Sequence, residues 1–195
     1  MFLLVVRYGL VRNGWYVYIN WNLFLAWVPV GLSLWFEHEA DTRPGEKTGR
    51  LLLIGLSWLL FFPNAPYVIT DLIHIRSTSG LPVWHDAVMI FSYALVSLVC
   101  GLASFHWMRR SLRKLLPVWG NRLMLATLPL AGFGIYLGRV QRLNSWHPLT
   151  NPMHLAREIL SALASKQAML MTVEFSLLIG FCYLLLLSLM PKEES

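Results

Sequence analysis

The residues best suited to chemistry follow two closely spaced prolines, in the segment 61–74 with the sequence FFPNAPYVITDLIH. Asp71 and His74 lie three positions apart, so a helix would place the carboxylate and the imidazole on one face. Such a pair can exchange a proton with a substrate or supply two ligands to a metal ion. Asp71 and His74 are therefore the candidate catalytic residues.

One interpretation of this pair is a metal-dependent hydrolase or transferase embedded in a membrane. Three carboxylate or imidazole ligands and an open position for water would suit a catalytic divalent metal, the one cofactor that the sequence suggests. The patterns DxxH and HD are short and common, and they lack the discrimination of a motif such as HExxH. The candidate metal ligands are Asp71, His74, His85, Asp86 and His147.

A second interpretation is a site for an anionic or lipid-linked ligand. Arg139 and Arg142 lie three positions apart in the segment GRVQRLNSWHP, which favours a shared anionic partner such as a phosphate. Glu174 lies within an apolar segment, where an ionisable group should pair, and Arg139 or Arg142 is the expected partner. A helix starting at 64–66 would add free N–H donors. The candidate ligand-binding residues are Asn64, Tyr67, Arg139, Arg142, Asn144, Trp146 and Glu174.

A third interpretation is a non-catalytic accessory subunit of a membrane complex, because the polar residues also have structural explanations. Asp86 suits a helix N-cap. Arginines near the end of a span often anchor it at the lipid interface, and Asn22 suits a hydrogen bond between helices. The Asp71 and His74 side chains could simply bond the backbone of a re-entrant elbow.

The composition indicates an integral membrane protein. Of the 195 residues, 56% are hydrophobic and 13% are charged, whereas soluble domains average about 25% charged residues. The net charge of +6 is explained by cytoplasmic loops and anionic headgroups, so no nucleic-acid partner is expected. Cys100 and Cys182 lie in apolar runs and predict no disulfide framework. The first residues lack the pattern of a cleaved signal peptide, so the sequence is expected to be mature protein.

The apolar segments predict one all-α integral-membrane domain, 1–195, with about five transmembrane helices and a short amphipathic interfacial helix at 152–166. The most polar segment, 37–50, is expected to form a loop. Gly134 and Gly138 should let a neighbouring helix approach closely. The spans are expected at about 15–36, 49–76, 84–107, 121–138 and 168–190.

The second span is expected to break at the Pro-Asn-Ala-Pro elbow, 63–66. Pro63 lacks a backbone donor and should end the first half of the span. Asn64 is the expected N-cap of the second half, and Pro66 suits its first turn. Broken helices in membranes often frame binding sites. A helix over 66–76 would carry a polar stripe of Tyr67, Thr70, Asp71, His74, Ser77 and Thr78.

The charges in the loops predict the orientation of the chain. The connection 107–122 holds no acidic residue, and the positive-inside rule therefore places it in the cytoplasm. Five spans then put the N-terminus outside, the C-terminus in the cytoplasm and the polar site near the non-cytoplasmic face. The basic residues of the connection are Arg109, Arg110, Arg113, Lys114 and Arg122.

Three segments, NLFLAWVP, WLLFFPNAPYVITDLIHI and GIYLGRVQRLNSWHPLTNP, resemble the bacterial integral-membrane family of Domain of Unknown Function 1361. The resemblance covers nearly the whole chain and implies a multi-pass protein of the bacterial plasma membrane, without naming an activity. The family pattern has Asp after NSW where this chain has His147, so a carboxylate role does not transfer there. The family-motif positions are Asn22, Pro63, Asn64, Pro66, Tyr67, Asp71, His74, Arg139, Asn144 and Trp146.

The sequence therefore predicts a multi-pass membrane protein with a polar site that binds an anionic or lipid-linked ligand. A membrane-embedded metalloenzyme and an accessory subunit stay open as alternatives. The expected partners are the lipid bilayer, an anionic lipid or lipid-linked ligand, and a second membrane protein.

Overall fold

A computed structural model describes residues 17–42, 48–75, 82–143 and 150–190. All regular elements within these ranges are helical, which confirms the predicted all-α class. The helices are α1 (Tyr18–Thr42), α2 (Thr48–Phe61), α3 (Asn64–Tyr67), a 3₁₀ segment (Val68–His74), α4 (Val83–Leu115), α5 (Gly120–Arg139), α6 (Pro152–Leu163) and α7 (Lys166–Leu189).

Four helical stretches among the described residues are long and apolar enough to cross a membrane: α1, Gly49–His74, α4 and α7. The chain is thus a polytopic membrane protein. The segment predicted as the fourth span does form a helix, α5, but it does not belong to this set. Polar residues at its two ends, Asn121 and Arg122 at the start and Arg139 at the finish, shorten its apolar part.

The first helix is longer than the sequence suggested, so the prediction of a loop over 37–50 is wrong for its first six residues and its last three. α1 continues to Thr42 and α2 begins at Thr48. Ion pairs explain the extension, because acidic residues of α1 face basic residues of α2 and α4. These pairs are Arg50–Glu39 at 3.0 Å, Lys114–Asp41 at 2.9 Å and Arg110–Glu37 at 4.0 Å.

The helices pack in two main pairs, α1 along α4 and α5 along α7. An aromatic core joins the two pairs. Trp58 of α2 stacks on Phe62 of the following turn with ring centroids 4.7 Å apart. Phe105 of α4 meets Tyr183 of α7 edge-on, with ring centroids 4.7 Å apart. Such aromatic pairs contribute about 0.5–1.5 kcal/mol beyond their buried area. This core fixes the end of α2 and therefore the elbow that follows it.

The predicted elbow lies where expected, but its local structure differs. Phe62 and Pro63 form a turn, and the cap of α3 is Pro63, so the prediction of Asn64 as N-cap is wrong. The Asn64 side chain instead donates to the Phe61 carbonyl at 2.9 Å, which satisfies an acceptor at the end of α2. The amides of Ala65 and Tyr67 already donate to the carbonyls of residues 62 and 63, so they are not available to bind an anion.

Glycines let the elbow lie directly against two helices. A Cβ atom at Gly134 would be 2.8 Å from Pro63, and one at Gly138 would be 3.3 Å from the Tyr67 ring. On the other side, a Cβ at Gly101 would be 3.0 Å from Ala65. The predicted close approach at Gly134 and Gly138 is therefore confirmed, with the elbow as the neighbour. The elbow therefore packs between α4 and α5.

Candidate functional site

The site is built around Asp71, which is fully buried on the 3₁₀ segment. Asn22 of α1 donates its Nδ2 hydrogen to Oδ2 of Asp71 at 3.0 Å. Arg139, at the end of α5, donates from Nη1 to Oδ1 of the same carboxylate at 3.0 Å. The carboxylate thus joins three separate elements. The expected interhelical hydrogen bond of Asn22 is confirmed, with Asp71 as its acceptor.

His74 completes this cluster through the other side of the guanidinium. Nη2 of Arg139 lies 2.7 Å from Nε2 of His74. A guanidinium has only donors, so Nε2 must accept this hydrogen bond and the ring carries its proton on Nδ1. Residues three apart eclipse each other in a 3₁₀ helix, which is why Asp71 and His74 face the same partner.

Aromatic rings surround the charged groups. The Arg139 guanidinium lies 5.9 Å from the centre of the Tyr67 ring, within the range of a cation–π interaction. The His74 ring meets the Tyr18 ring edge-on at 6.1 Å. The Arg139 side chain is 16% exposed and the Asp71 side chain is 0% exposed. Removing either charge would leave the other without its partner in a largely water-free environment, which is costly.

A cavity of about 240 Å³ lies beside this cluster, between α1, the elbow, α5 and α6. Asn22, Asn64 and Tyr67 give it a polar wall, and Tyr67 separates it from Arg139. The volume lies below the about 300–1,000 Å³ of typical pockets for drug-sized ligands, which suits a small headgroup rather than a whole lipid. The apolar lining residues are Trp21, Leu25, Leu60, Leu137, Leu143, Leu155 and Ile159.

Arg142 lies just after α5, next to Leu143 of the cavity lining. It is exposed and has a φ of 56°, in the left-handed region that glycine adopts most readily. The amide of Leu143 donates to the Leu137 carbonyl at 3.0 Å and fixes this turn. An arginine in a backbone conformation suited to glycine suggests a role for its side chain.

The other predicted ligand-binding residues are not brought together here. Glu174 is exposed on α7 and makes no ion pair with Arg139 or Arg142, all three of which are described. The predicted pairing of Glu174 is therefore wrong, because Arg139 is taken by Asp71. Asn144, Trp146 and His147 lie outside the described residues, as do Ser77 and Thr78 of the predicted polar stripe.

His85 and Asp86 are both buried in the first turn of α4, whose cap is Pro82. The prediction of Asp86 as N-cap is therefore wrong. Nδ1 of His85 lies 3.8 Å from Oδ1 of Asp86, and neither ring nitrogen of His85 has a hydrogen-bond partner among the described residues.

The predicted metal ligands do not form a ligand set in the described part of the chain. There, no three His, Cys, Asp or Glu side chains are grouped so that they could hold a metal ion. The Arg139 guanidinium occupies Oδ1 of Asp71 and Nε2 of His74, two atoms through which these side chains could bind a metal. A metal at either atom would have to displace the arginine.

The principal contact that sequence reasoning missed is the pair of Asp71 and Arg139. The signal for it is that ionisable groups within membrane spans need partners, which holds for Asp71 as well as for Glu174.

Comparison with known proteins gives a family without an activity. A family described as "Protein of unknown function (DUF1361)" matches residues 21–182. No curated protein and no solved structure matches the chain.

Proposed function

The chain belongs to the DUF1361 family of proteins of unknown function, and we propose that it is a membrane protein that binds an anionic, lipid-linked ligand through its headgroup. The observation that carries this proposal is the cavity with polar Asn22, Asn64 and Tyr67 on one wall and apolar side chains on the other. An amphiphilic cavity suits an amphiphilic ligand, because each part of the ligand finds a matching surface.

The exposed residues at the cavity suggest where the ligand's tail lies. Trp21 and Leu60 line the cavity and are 54% and 38% exposed. Both lie on stretches long and apolar enough to cross a membrane, so their exposed surfaces face lipid. A headgroup inside the cavity would therefore leave its tail in the bilayer beside α1 and α2.

The charge on the ligand follows from the different roles of the two arginines. Arg139 is already paired with Asp71, so its charge is largely matched and its part is to hold the wall of the cavity in place. Arg142 is exposed and directly precedes the lining residue Leu143, although it does not itself line the cavity, and no carboxylate pairs with it among the described residues. Arginine binds phosphate well through parallel hydrogen bonds. A phosphate-bearing headgroup would satisfy Arg142.

The proposed orientation keeps five crossings, with α5 as the fourth, and places this site on the outer face of a bacterial plasma membrane, in one integral-membrane domain with the N-terminus outside. α4 and α5 each have one end near the elbow, while their other ends carry the basic residues of the segment 107–122. The positive-inside rule supports a cytoplasmic position for that connection. A reporter enzyme that is active only in the cytoplasm should be active when it is fused to the C-terminus.

Native mass spectrometry tests the binding proposal. The wild type, released from its membrane in a gentle detergent, should carry a phosphate-bearing adduct that Arg142→Gly loses. Arg157→Ala, which removes a charge from the nearby helix α6, is the matched control and should keep the adduct. A divalent metal adduct would instead favour the metalloenzyme. Full retention by Arg142→Gly would refute the headgroup assignment.

A further inference from the structure

A second groove lies at the other end of the bundle, between α5 and α7 with α4 at its base. Its volume is about 890 Å³ and most of its lining is apolar, including Leu125, Leu128, Leu177 and Phe181. It shares no lining residue with the cavity beside the elbow. The groove faces the outside of the bundle, where α7 is mostly unburied.

One cationic residue, Arg109 of α4, lines this groove. Its Nε donates to Oδ1 of Asn121 at 3.0 Å, and its Nη1 donates to the Tyr183 hydroxyl at 3.2 Å. The guanidinium also lies 5.7 Å from the centre of the Tyr183 ring. These contacts hold the guanidinium at the end of an apolar surface and leave further donors free.

Arg109 differs from two of its basic neighbours, Arg110 and Lys114, in lacking a negative partner. Arg110 pairs with Glu37 and Lys114 pairs with Asp41, across to α1. In the part of the chain that the structure describes, Arg109 contacts no carboxylate. A fixed, unmatched positive charge at the end of an apolar groove is complementary to an amphiphile with an anionic head.

The length of the groove fits one acyl chain. The lining extends along α7 from Thr172 to Leu187, about 22 Å at 1.5 Å per residue. The length also exceeds half of a bilayer core of about 30 Å, enough for one acyl chain.

We propose that this groove binds an anionic phospholipid, with an acyl chain between α5 and α7 and the phosphate on Arg109. The assignment goes beyond the proposed function, because it concerns another site and another occupant. A phosphate accepts parallel hydrogen bonds from a guanidinium. A zwitterionic headgroup also contains a phosphate, but its own cation cancels the negative charge nearby.

The test is a titration of the delipidated protein in detergent with phosphatidylglycerol and with phosphatidylcholine, followed by native mass spectrometry. The wild type should bind one phosphatidylglycerol more tightly than phosphatidylcholine. Arg109→Gln should weaken phosphatidylglycerol binding about tenfold, because it removes a charge-assisted hydrogen bond. Arg113→Gln is the matched control: it makes the same change of charge on the same helix, is exposed and does not line the groove.

A second variant tests the groove without a change of charge. A Cβ at Gly180 would be 3.6 Å from Leu128, an ordinary contact, so a side chain can start at this lining position and Gly180→Leu should fill part of the groove. It should reduce binding of both lipids about tenfold or more while keeping the unfolding temperature of the lipid-free protein. Gly180→Leu also tests lipid binding in the groove if Arg109→Gln fails to fold.

Four results would overturn the proposal. The first two are equal binding of phosphatidylglycerol by Arg109→Gln and Arg113→Gln, and unchanged lipid binding by Gly180→Leu. The other two are an affinity for oleate equal to that for phosphatidylglycerol, and a dimer that occupies the groove and is lost in Gly180→Leu. The adduct that depends on Arg142 is scored in the protein released from its membrane and not in this titration, so failure of the headgroup site beside the elbow is seen separately.

Discussion

Arg139 and Asp71 lie 68 positions apart in the chain, and Nη1 of the arginine lies 3.0 Å from Oδ1 of the aspartate. This ion pair connects the end of α5 to the 3₁₀ segment after the elbow. Asn22 adds α1 to the same carboxylate. These contacts therefore connect α1, the 3₁₀ segment and α5 beside the cavity.

Asp71→Asn should lower the stability of the protein strongly, by about 3–5 kcal/mol, because it leaves the Arg139 charge largely buried without its partner. Thermal unfolding in detergent measures the effect. The matched control is Asp41→Asn, which breaks an exposed pair with Lys114 and should cost less than about 1 kcal/mol. Equal shifts of the unfolding temperature in the two variants would show that the buried pair has no special role.

Gly134→Ala should push the elbow away from α5, since the new Cβ would lie 2.8 Å from Pro63. Overpacking of this kind costs about 1–3 kcal/mol. Gly31→Ala in α1 is the control, because nothing lies within 4 Å of its Cβ and alanine favours a helix over glycine by about 1 kcal/mol. The two variants should shift the unfolding temperature in opposite directions, and a stabilising Gly134→Ala would contradict the described packing.

Arg142→Gly should keep or raise the stability of the protein, by up to about 1–2 kcal/mol, because glycine removes the strain of a φ of 56°. Arg142→Ala keeps the strain and should be less stable than Arg142→Gly. Unfolding temperatures of both variants in detergent give the comparison. A destabilised Arg142→Gly would mean that the arginine side chain supports the fold, and ligand loss in that variant would then have a structural cause.

Local signals in the sequence predicted much of this fold. The apolar segments located the helices, and Pro63 located the break after α2 because proline removes a backbone donor from a helix. Proline alone is not decisive, since Pro29 and Pro129 lie inside α1 and α5. The spacing of Asp71 and His74 predicted a shared face, which holds in the 3₁₀ segment even though an α-helix was expected.

Contacts between distant segments were the part that local signals could not supply. The extension of α1 to Thr42 depends on basic residues of α4, and the pairing of Arg139 depends on which helix α5 lies beside. Asn64 was predicted as an N-cap from its residue type alone, whereas its side chain bonds the preceding helix. For the two ion pairs, the partner is determined by the packing of the helices.

Photocrosslinking from the mouth of the cavity in native membranes tests most directly whether a phosphate-bearing lipid binds there. A benzoylphenylalanine at position 60 replaces Leu60, which lines the cavity and is exposed to lipid. The control is the same probe at position 56, where Leu56 is exposed one turn away on α2 and does not line the cavity. We expect position 60 to capture a phosphate-bearing lipid that is enriched over the bulk phospholipids captured at position 56, and Arg142→Gly to remove the enrichment. Identical bulk lipids at both positions would contradict a ligand site in this cavity.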